Sequence, residues 1–521
     1  MNNRKKFFIN GIMLTVVGIA IRSVAIIFNS FVSKSIGPEG MGLFSLIGTV
    51  YGFAVTFATS GISLTVTRLV SSAIGEKREN EVKGILASSI TYALIFSIAA
   101  SLTLFFGAEY FASVTLSDTR AALPLRILSF SLVPLATASV FSGYFIGVKR
   151  VGKNATAQVL CQIFKIFTTA VLVMKFAGGG VVSGTVVLCV GSTLTELSVF
   201  LVLFIQFVID KRKKLPSEKS KIRHFHSVSS MALPLALSAY IRSALLMLEH
   251  SLIPKRLVDR GESHTAALSQ YGILHGMAVP MLLYPMATLS SFAGLLVPEF
   301  SEGFARGEYK RMTRVANEAL NTTLVYAIFS SVTLFIFSEE LGYLVYSSYG
   351  AGHYIALMAP VVPIMYLDHV ADSILKGIGE HVYSMWVNIS DSLLSVILVW
   401  VLIKEIGIGG YALVIVVMEG YNFILSAKRL YKRIKFKIFI GKSVVIPIIS
   451  SLASASLSKH LFKISGETSL PVWLFLRIIF LAVVFIGIYT ILKSIIDFLE
   501  LRKNKRKQNL SNSLTLRGEE T

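Results

Sequence analysis

Charged side chains are scarce in this chain: they make up 15% of its 521 residues, against 54% hydrophobic ones, with a mean hydropathy of +0.69. Negative charge is the scarcer sign, with 29 Asp and Glu against 50 Lys and Arg. This balance excludes an ordinary soluble domain, whose apolar residues do not run unbroken from end to end. Cysteine is rarer still. Its two copies, Cys161 and Cys189, both fall within apolar runs, which excludes a disulfide framework and metal-ligand spacing. Also missing are a Gly-rich phosphate loop, an HExxH pair and any triad-like set, and no large extramembrane segment is left to house one. The expectation is a protein that is not an enzyme and takes no cofactor and no metal.

What the chain has instead is apolar length. The pattern predicts an all-α polytopic membrane protein with fourteen spans of about 20 residues or more, near 7–33, 42–72, 85–107, 123–147, 155–177, 181–208, 228–253, 268–298, 314–337, 355–376, 383–404, 409–427, 438–458 and 471–495. They are called spans 1 to 14 below. An even number leaves both termini on one side. The loops on that side hold 34 of the Lys and Arg, the opposite loops hold 10, and 6 lie within spans. The positive-inside rule then predicts a multi-pass protein of the bacterial plasma membrane with both termini in the cytoplasm. The richest loops, "DKRKKLPSEKSKIRHF" (210–225), "KRLYKRIKFK" (428–437) and "RKNKRK" (502–507), read as topology determinants beside anionic membrane lipid, and the net charge of +21 needs no nucleic acid to explain it. "RKK" before the first run is not a signal peptide, because the run is too long and no small-residue cleavage site follows. The segment 498–521 reads as a basic, disordered cytoplasmic tail.

A shift of about 230 residues brings the halves of the chain into register. "SLTLFFGAE" (101–109) falls on "SVTLFIFSE" (331–339), Gly42 on Gly272, "VGKNATAQV" (151–159) on "HVYSMWVNI" (381–389), and Pro134 on Pro363 after a one-residue slip. The expected organisation is a six-helix lobe in 1–227, its repeat in 228–437, two further spans in 438–497, and the tail. Parallel repeats of six helices mark transporters whose binding site lies between the lobes near the midplane.

Polar stripes at helical spacing report which face avoids the lipid tails. In span 1, Gly18, Arg22, Asn29 and Ser33 lie within about 60° of one another. Span 7 carries Ser238, Arg242 and Glu249; span 5 carries Asn154, Gln158, Gln162, Lys165 and Thr169; span 11 carries Ser384, Asn388, Asp391 and Ser395. Spans 1 and 7, like 5 and 11, occupy the same place in each repeat. An arginine at mid-bilayer costs roughly 2.5–3.5 kcal/mol on the lenient scale, so Arg22, Arg242, Lys165 and Glu249 read as lining a polar cavity, with Arg68 near the cytoplasmic end of span 2 as a further candidate. For Asn29, Gln158, Gln162, Asn388 and Asp391, interhelical hydrogen bonding is the competing explanation. In span 10, Asp368 and Asp372 share a face. They read either as a cation or proton coupling site or, with Lys376 one turn on, as an i,i+4 pair.

The stretch "FVSKSIGPEGMGLFSLIGTVYGFAVTFATSGISLTVTRLVS" (31–71) resembles the span 1–2 region of the stage V sporulation protein B family, within the multidrug/oligosaccharidyl-lipid/polysaccharide (MOP) exporter superfamily. The two six-helix lobes with two added helices match that MATE-like architecture. The resemblance implies a flippase carrying a polyprenyl-diphosphate-linked wall or polysaccharide precursor, such as a lipid II-like molecule, to the outer leaflet by alternating access. It also implies a role in spore cortex peptidoglycan and cell-wall synthesis proteins as partners. Related lipid II flippases line a central cavity with arginines from helices 1, 2 and 8. Arg22 and Arg68 match by placement, whereas span 8 here offers His275 and span 7 supplies Arg242. Guanidinium forks suit a diphosphate. Two other classes compete: a cation-coupled multidrug exporter of the MATE type, which should be rich in cavity carboxylates, and a scaffold or glycosyl polymerase, which should carry an acid on a sizeable outer loop.

Overall fold

The computed structural model describes residues 3–59, 61–176, 180–214, 224–461 and 471–518. These residues fold into helices, with no strand among them. Lipid offers no hydrogen-bond partners, so a spanning backbone must satisfy itself internally, and the helix is the open-chain way to do so. Eleven helices among the described residues are long and apolar enough to cross a membrane, thirteen if each of two bent pairs is one span.

Spans 1 and 2 begin as one element, Asn3–Thr59, broken at Gly37, which sits at φ 70 and ψ 178. Pro38 follows and has no N–H to give, so the helix must restart there. The reading of fourteen spans divides the chain at this break.

Span 4 is bent by 44° between Thr119–Ser129 and Leu132–Gly147. A bend frees carbonyls that lipid cannot satisfy, and hydroxyls supply the replacement. Ser129 Oγ donates to Arg126 O at 2.6 Å, Ser131 Oγ to Leu128 O at 2.6 Å, and Ser101 Oγ to Ser129 O at 2.8 Å. Tyr51 then meets Ser131 Oγ at 2.6 Å. Span 7 is bent by 41° between Phe225–Pro234 and Ala236–Asp259, where Pro234 removes a backbone donor.

Local backbone features recur at a fixed interval. Left-handed residues fall at Lys77 and Gly307, Ser117 and Ser347, Lys149 and Gly379, each pair 230 positions apart. Helices Leu132–Gly147 and Val362–Gly377 begin and end at that offset, as do Val151–Phe176 and His381–Ile406. The hydrogen bonds closing the turns match too: Arg78 N–H reaches Ala73 O and Glu308 N–H reaches Gly303 O, while Arg150 N–H reaches Phe145 O and Glu380 N–H reaches Leu375 O. These are helix endings with a left-handed residue after the last turn.

The chain forms two compact units. One comprises Met1–Thr15, Met281–Ser384 and Glu419–Thr521; its core gathers Phe300, Met312, Leu320, Ile374, Leu375 and Leu430. The other comprises Val16–Pro280 and Met385–Met418, with Phe141 packed among Phe200, Phe204 and Phe207. The last helix runs Pro471–Gly518. This corrects the expected disordered tail over residues 498–518: Leu, Lys, Arg and Gln are good helix formers, and no proline interrupts them. Residues 519–521 lie outside the described residues.

Candidate transport site

Arg22 lies on the Asn3–Thr59 helix, but its side chain, like those of residues 3–23, is outside the described residues. The other candidate bases are described. Arg68 and Arg242 are exposed and Lys165 is half-buried. Arg68 and Arg242 make no hydrogen bond or ion pair with a described residue, and Lys165 lies within electrostatic reach of Glu196 on the Val181–Lys214 helix. No direct bond joins these three bases to one another.

Along span 1, Asn29 is half-buried and Ser33 is buried. Span 5 grades from buried Asn154, whose Oδ1 accepts from Ser142 Oγ at 3.1 Å, through exposed Gln158 and half-buried Gln162 to buried Thr169. In span 11, Asn388 and Asp391 are half-buried, with Ser384 and Ser395 buried to either side.

Glu249 is 7% exposed, and the charged group within its reach is Asp391, another carboxylate. Beside them stands a group of aromatic and imidazole side chains. Tyr271 Oη and His250 Nδ1 are 3.2 Å apart, the rings of His250 and His275 have centroids at 4.3 Å, and Tyr271 stacks on His275 at 5.3 Å. Tyr411 closes the group at 6.2 Å from His250. Tyr271 and His275 lie at a π-helical turn, Gly272–Ala278, a local widening that often marks a functional site. Of this group the sequence reading raised only His275. The rest lacks a local signature, because three different spans contribute.

In span 10 the structure places Asp372 2.5 Å from Lys376, the simple i,i+4 pair. Asp368 is half-buried on the same helix. Among the described residues no group of three or more His, Cys, Asp or Glu is placed to hold a metal ion.

Spans 2 and 8 cross closely at the ends adjoining the links 34–41 and 254–267. A Cβ on Gly42 would stand 2.1 Å from Leu268 O, and one on Gly272 would stand 2.1 Å from Pro38 O, so nothing larger than glycine fits. An ion network braces the same end. Arg120 Nη1 reaches Glu39 Oε1 at 2.8 Å and Nη2 reaches Asp118 Oδ2 at 2.8 Å, with His264 Nε2 at 3.9 Å from Asp118. Burial alone would raise the Asp118 carboxyl, but hydrogen bonds from the Arg120 side chain and backbone outweigh it and hold the group below its ordinary value.

The profile of the polysaccharide biosynthesis protein family matches residues 8–304, more than half of the chain, and that of the MatE family matches residues 264–401. The chain is 28% identical over 482 residues to stage V sporulation protein B of Bacillus subtilis (strain 168), covering 90% of this chain and 93% of that one. It is 22% identical over 452 residues to lipid II flippase MurJ of the same organism, covering 81% and 82%. Among solved structures, lipid II flippase MurJ in an inward closed conformation superposes with a TM-score of 0.71 at 16% identity, covering 93% of this chain and 99% of that one. The likeness to stage V sporulation protein B thus extends well beyond residues 31–71, and the chain belongs to the polysaccharide biosynthesis protein family.

Proposed function

We propose that this protein is a flippase that moves a polyprenyl-diphosphate-linked wall precursor from the cytoplasmic to the outer leaflet by alternating access of two six-helix lobes, with both termini in the cytoplasm. Arg242 carries the reading. It sits midway along a membrane-spanning helix, exposed, with no described partner for its charge. A bare guanidinium at that depth is costly unless it faces water or an anion. A diphosphate headgroup is such an anion, and Arg68, Lys165 and Arg242, with Arg22 from span 1, supply cations to offset its charge as it crosses. The apolar polyprenyl tail stays in lipid. The family membership and the relative that is a lipid II flippase support this substrate class, and the sporulation relative supports a role in sporulation, which we take to be in spore cortex peptidoglycan beside cell-wall synthesis proteins.

Glu249 and Asp391 suit the driving ion, a proton or a monovalent cation held between them. The same pair is the observation that favours a cation-coupled exporter of the MATE type. The cations outnumber these acids along the stripes, which favours an anionic cargo.

The test is translocation of a fluorescent polyprenyl-diphosphate sugar by the purified protein in liposomes. Wild type moves the probe. Arg242→Gln and Arg22→Gln each lower the rate at least about tenfold, the kinetic equivalent of losing roughly 1.4 kcal/mol, with unchanged insertion and melting. Undiminished transport in both variants, or none by wild type, overturns the proposal.

A further inference from the structure

A cavity of about 390 Å³ lies between the helices of spans 9, 13 and 14, lined among others by Arg314, Asn317, Thr322, Val325, Tyr489 and Lys493. It is remote in sequence from the stripes discussed above, and spans 13 and 14 stand outside the duplication.

The walls are fixed by bonds that leave the cavity open. Asn321 spends its whole side chain on the joint. Its Nδ2 donates to Asn317 O at 2.7 Å and Lys437 O at 2.8 Å, and its Oδ1 accepts from Phe439 N–H at 2.9 Å and Ser443 Oγ at 2.7 Å. Asn317 Oδ1 accepts from Lys437 N–H at 2.7 Å. Across the cavity, Lys442 reaches Asp497 and Glu500, each at 2.6 Å, tying the start of span 13 to the end of span 14.

Three bases, Arg314, Lys442 and Lys493, and two carboxylates, Glu318 and Asp497, line the cavity, which leaves one positive charge in excess. Arg314 makes no hydrogen bond or ion pair with a described residue, and Lys493 has the Tyr489 ring at 5.8 Å and the Asp497 carboxylate within electrostatic reach. Polarity is graded along the helices. Arg314 and Val325 are three turns apart on one face, about 16 Å along the axis, and Lys493 and Tyr489 are one turn apart on another. In both helices the base lies toward the cytoplasmic end and the apolar side chain toward the bilayer, in the orientation proposed above.

We infer that this cavity binds the phosphate headgroup of an anionic phospholipid of the cytoplasmic leaflet, with Arg314 and Lys493 on the phosphate, Asn317 and Thr322 beside it, and the acyl chains leaving past Val325 and Tyr489. A free phosphate shares the headgroup chemistry but has no use for the apolar end. The inference rests on the orientation of the chain and not on the transported cargo.

Native mass spectrometry of the full chain in detergent, titrated with phosphatidylglycerol or phosphatidylcholine, tests it without measuring transport. Wild type retains phosphatidylglycerol preferentially. Arg314→Gln or Lys493→Gln weakens retention about fivefold and the double variant roughly 25-fold, the increment expected per interfacial base, while Lys310→Gln with Lys432→Gln, outside the cavity, leaves it unchanged. Equal retention by wild type and the double variant overturns the site. So does an equal loss in the outside pair, which would mean general surface charge. Displacement of the lipid by an equal concentration of inorganic phosphate overturns the lipid assignment. Melting of each variant in lipid-free detergent verifies the fold, and if the double variant is unfolded, the single Gln variants are compared with charge-keeping Arg314→Lys and Lys493→Arg, which must retain the lipid.

Discussion

Gly42 and Gly272, 230 positions apart, pack against each other's helix: a Cβ on the first would stand 2.1 Å from Leu268 O and a Cβ on the second 2.1 Å from Pro38 O. Leu268 and Pro38 are themselves 230 apart, so the crossing looks the same from either helix. In the proposed orientation this is the outer end of spans 2 and 8.

A methyl group at either position has no space, and overpacking of this kind costs about 1–3 kcal/mol. Gly42→Ala and Gly272→Ala should each lower the melting temperature by similar amounts. The double variant should fall short of their sum, because the first methyl already separates the helices. Full additivity in a two-by-two melting series would argue against a shared crossing. Labelling of a cysteine introduced at Ser45, whose Oγ lies 3.2 Å from where a Gly276 Cβ would stand, should rise from the outside in both variants.

Arg120 holds the same end through Glu39 and Asp118. The Asp118 side chain is 3% exposed, so removing its partner leaves a nearly buried carboxylate alone. Arg120→Gln should cost about 3 kcal/mol near neutral pH. The sign of the pH dependence follows from the depressed carboxyl. The pairing stabilises the fold above the ordinary value of 3.8 and is lost as pH falls through the lower folded value. Melts of wild type and variant from pH 7 downward should therefore converge below about pH 4. A constant gap would mean that Arg120 acts through packing.

Much of the fold was legible because lipid permits few solutions. Unbroken apolar runs gave the helices, and the division between spans 1 and 2 falls at the Gly37–Pro38 break that the structure contains, whereas the bend at Pro234 was not read from the sequence. The candidate bases were legible for the same reason, since an arginine in such a run is visible at once. Long-range pairing was not. Nothing near Glu39 announces Arg120, and nothing near His250 announces Tyr271 or Tyr411. The end of the chain misled through its polarity, which suits a solvated helix as well as a disordered tail.

The two acidic pairs should separate by function. Asp372 already has Lys376 at 2.5 Å, whereas Glu249 has Asp391. In proteoliposomes, Asp372→Asn should keep transport and its dependence on the ion gradient within about twofold, as for a half-exposed helix pair. Glu249→Gln and Asp391→Asn should each uncouple transport from the gradient. Loss of coupling in Asp372→Asn alone would transfer the role to span 10.

Arg150 and Glu380 lie 230 residues apart at matching turns, and each is tied to a late turn of a following helix, Val181–Lys214 or Ile408–Arg433, with the charges reversed. Arg150 and Lys153 meet Asp210, the latter at 3.0 Å, and Tyr144 Oη adds a bond at 2.9 Å. Glu380 meets Arg429 at 2.7 Å and Arg433 at 2.6 Å. Burial pushes the Glu380 carboxyl up, but the two guanidinium groups outweigh it and hold the carboxyl below its ordinary range. With opposite polarity, each clamp would repel the other's partner. Glu380→Arg should cost about 2 kcal/mol and Arg150→Glu about as much. Adding Arg429→Glu with Arg433→Glu should recover most of the loss in the Glu380→Arg background and none in the Arg150→Glu background. Melting of the purified variants and protease resistance of newly inserted chains would both report it. Recovery in the Arg150→Glu background as well would show that charge balance, not local pairing, holds these ends.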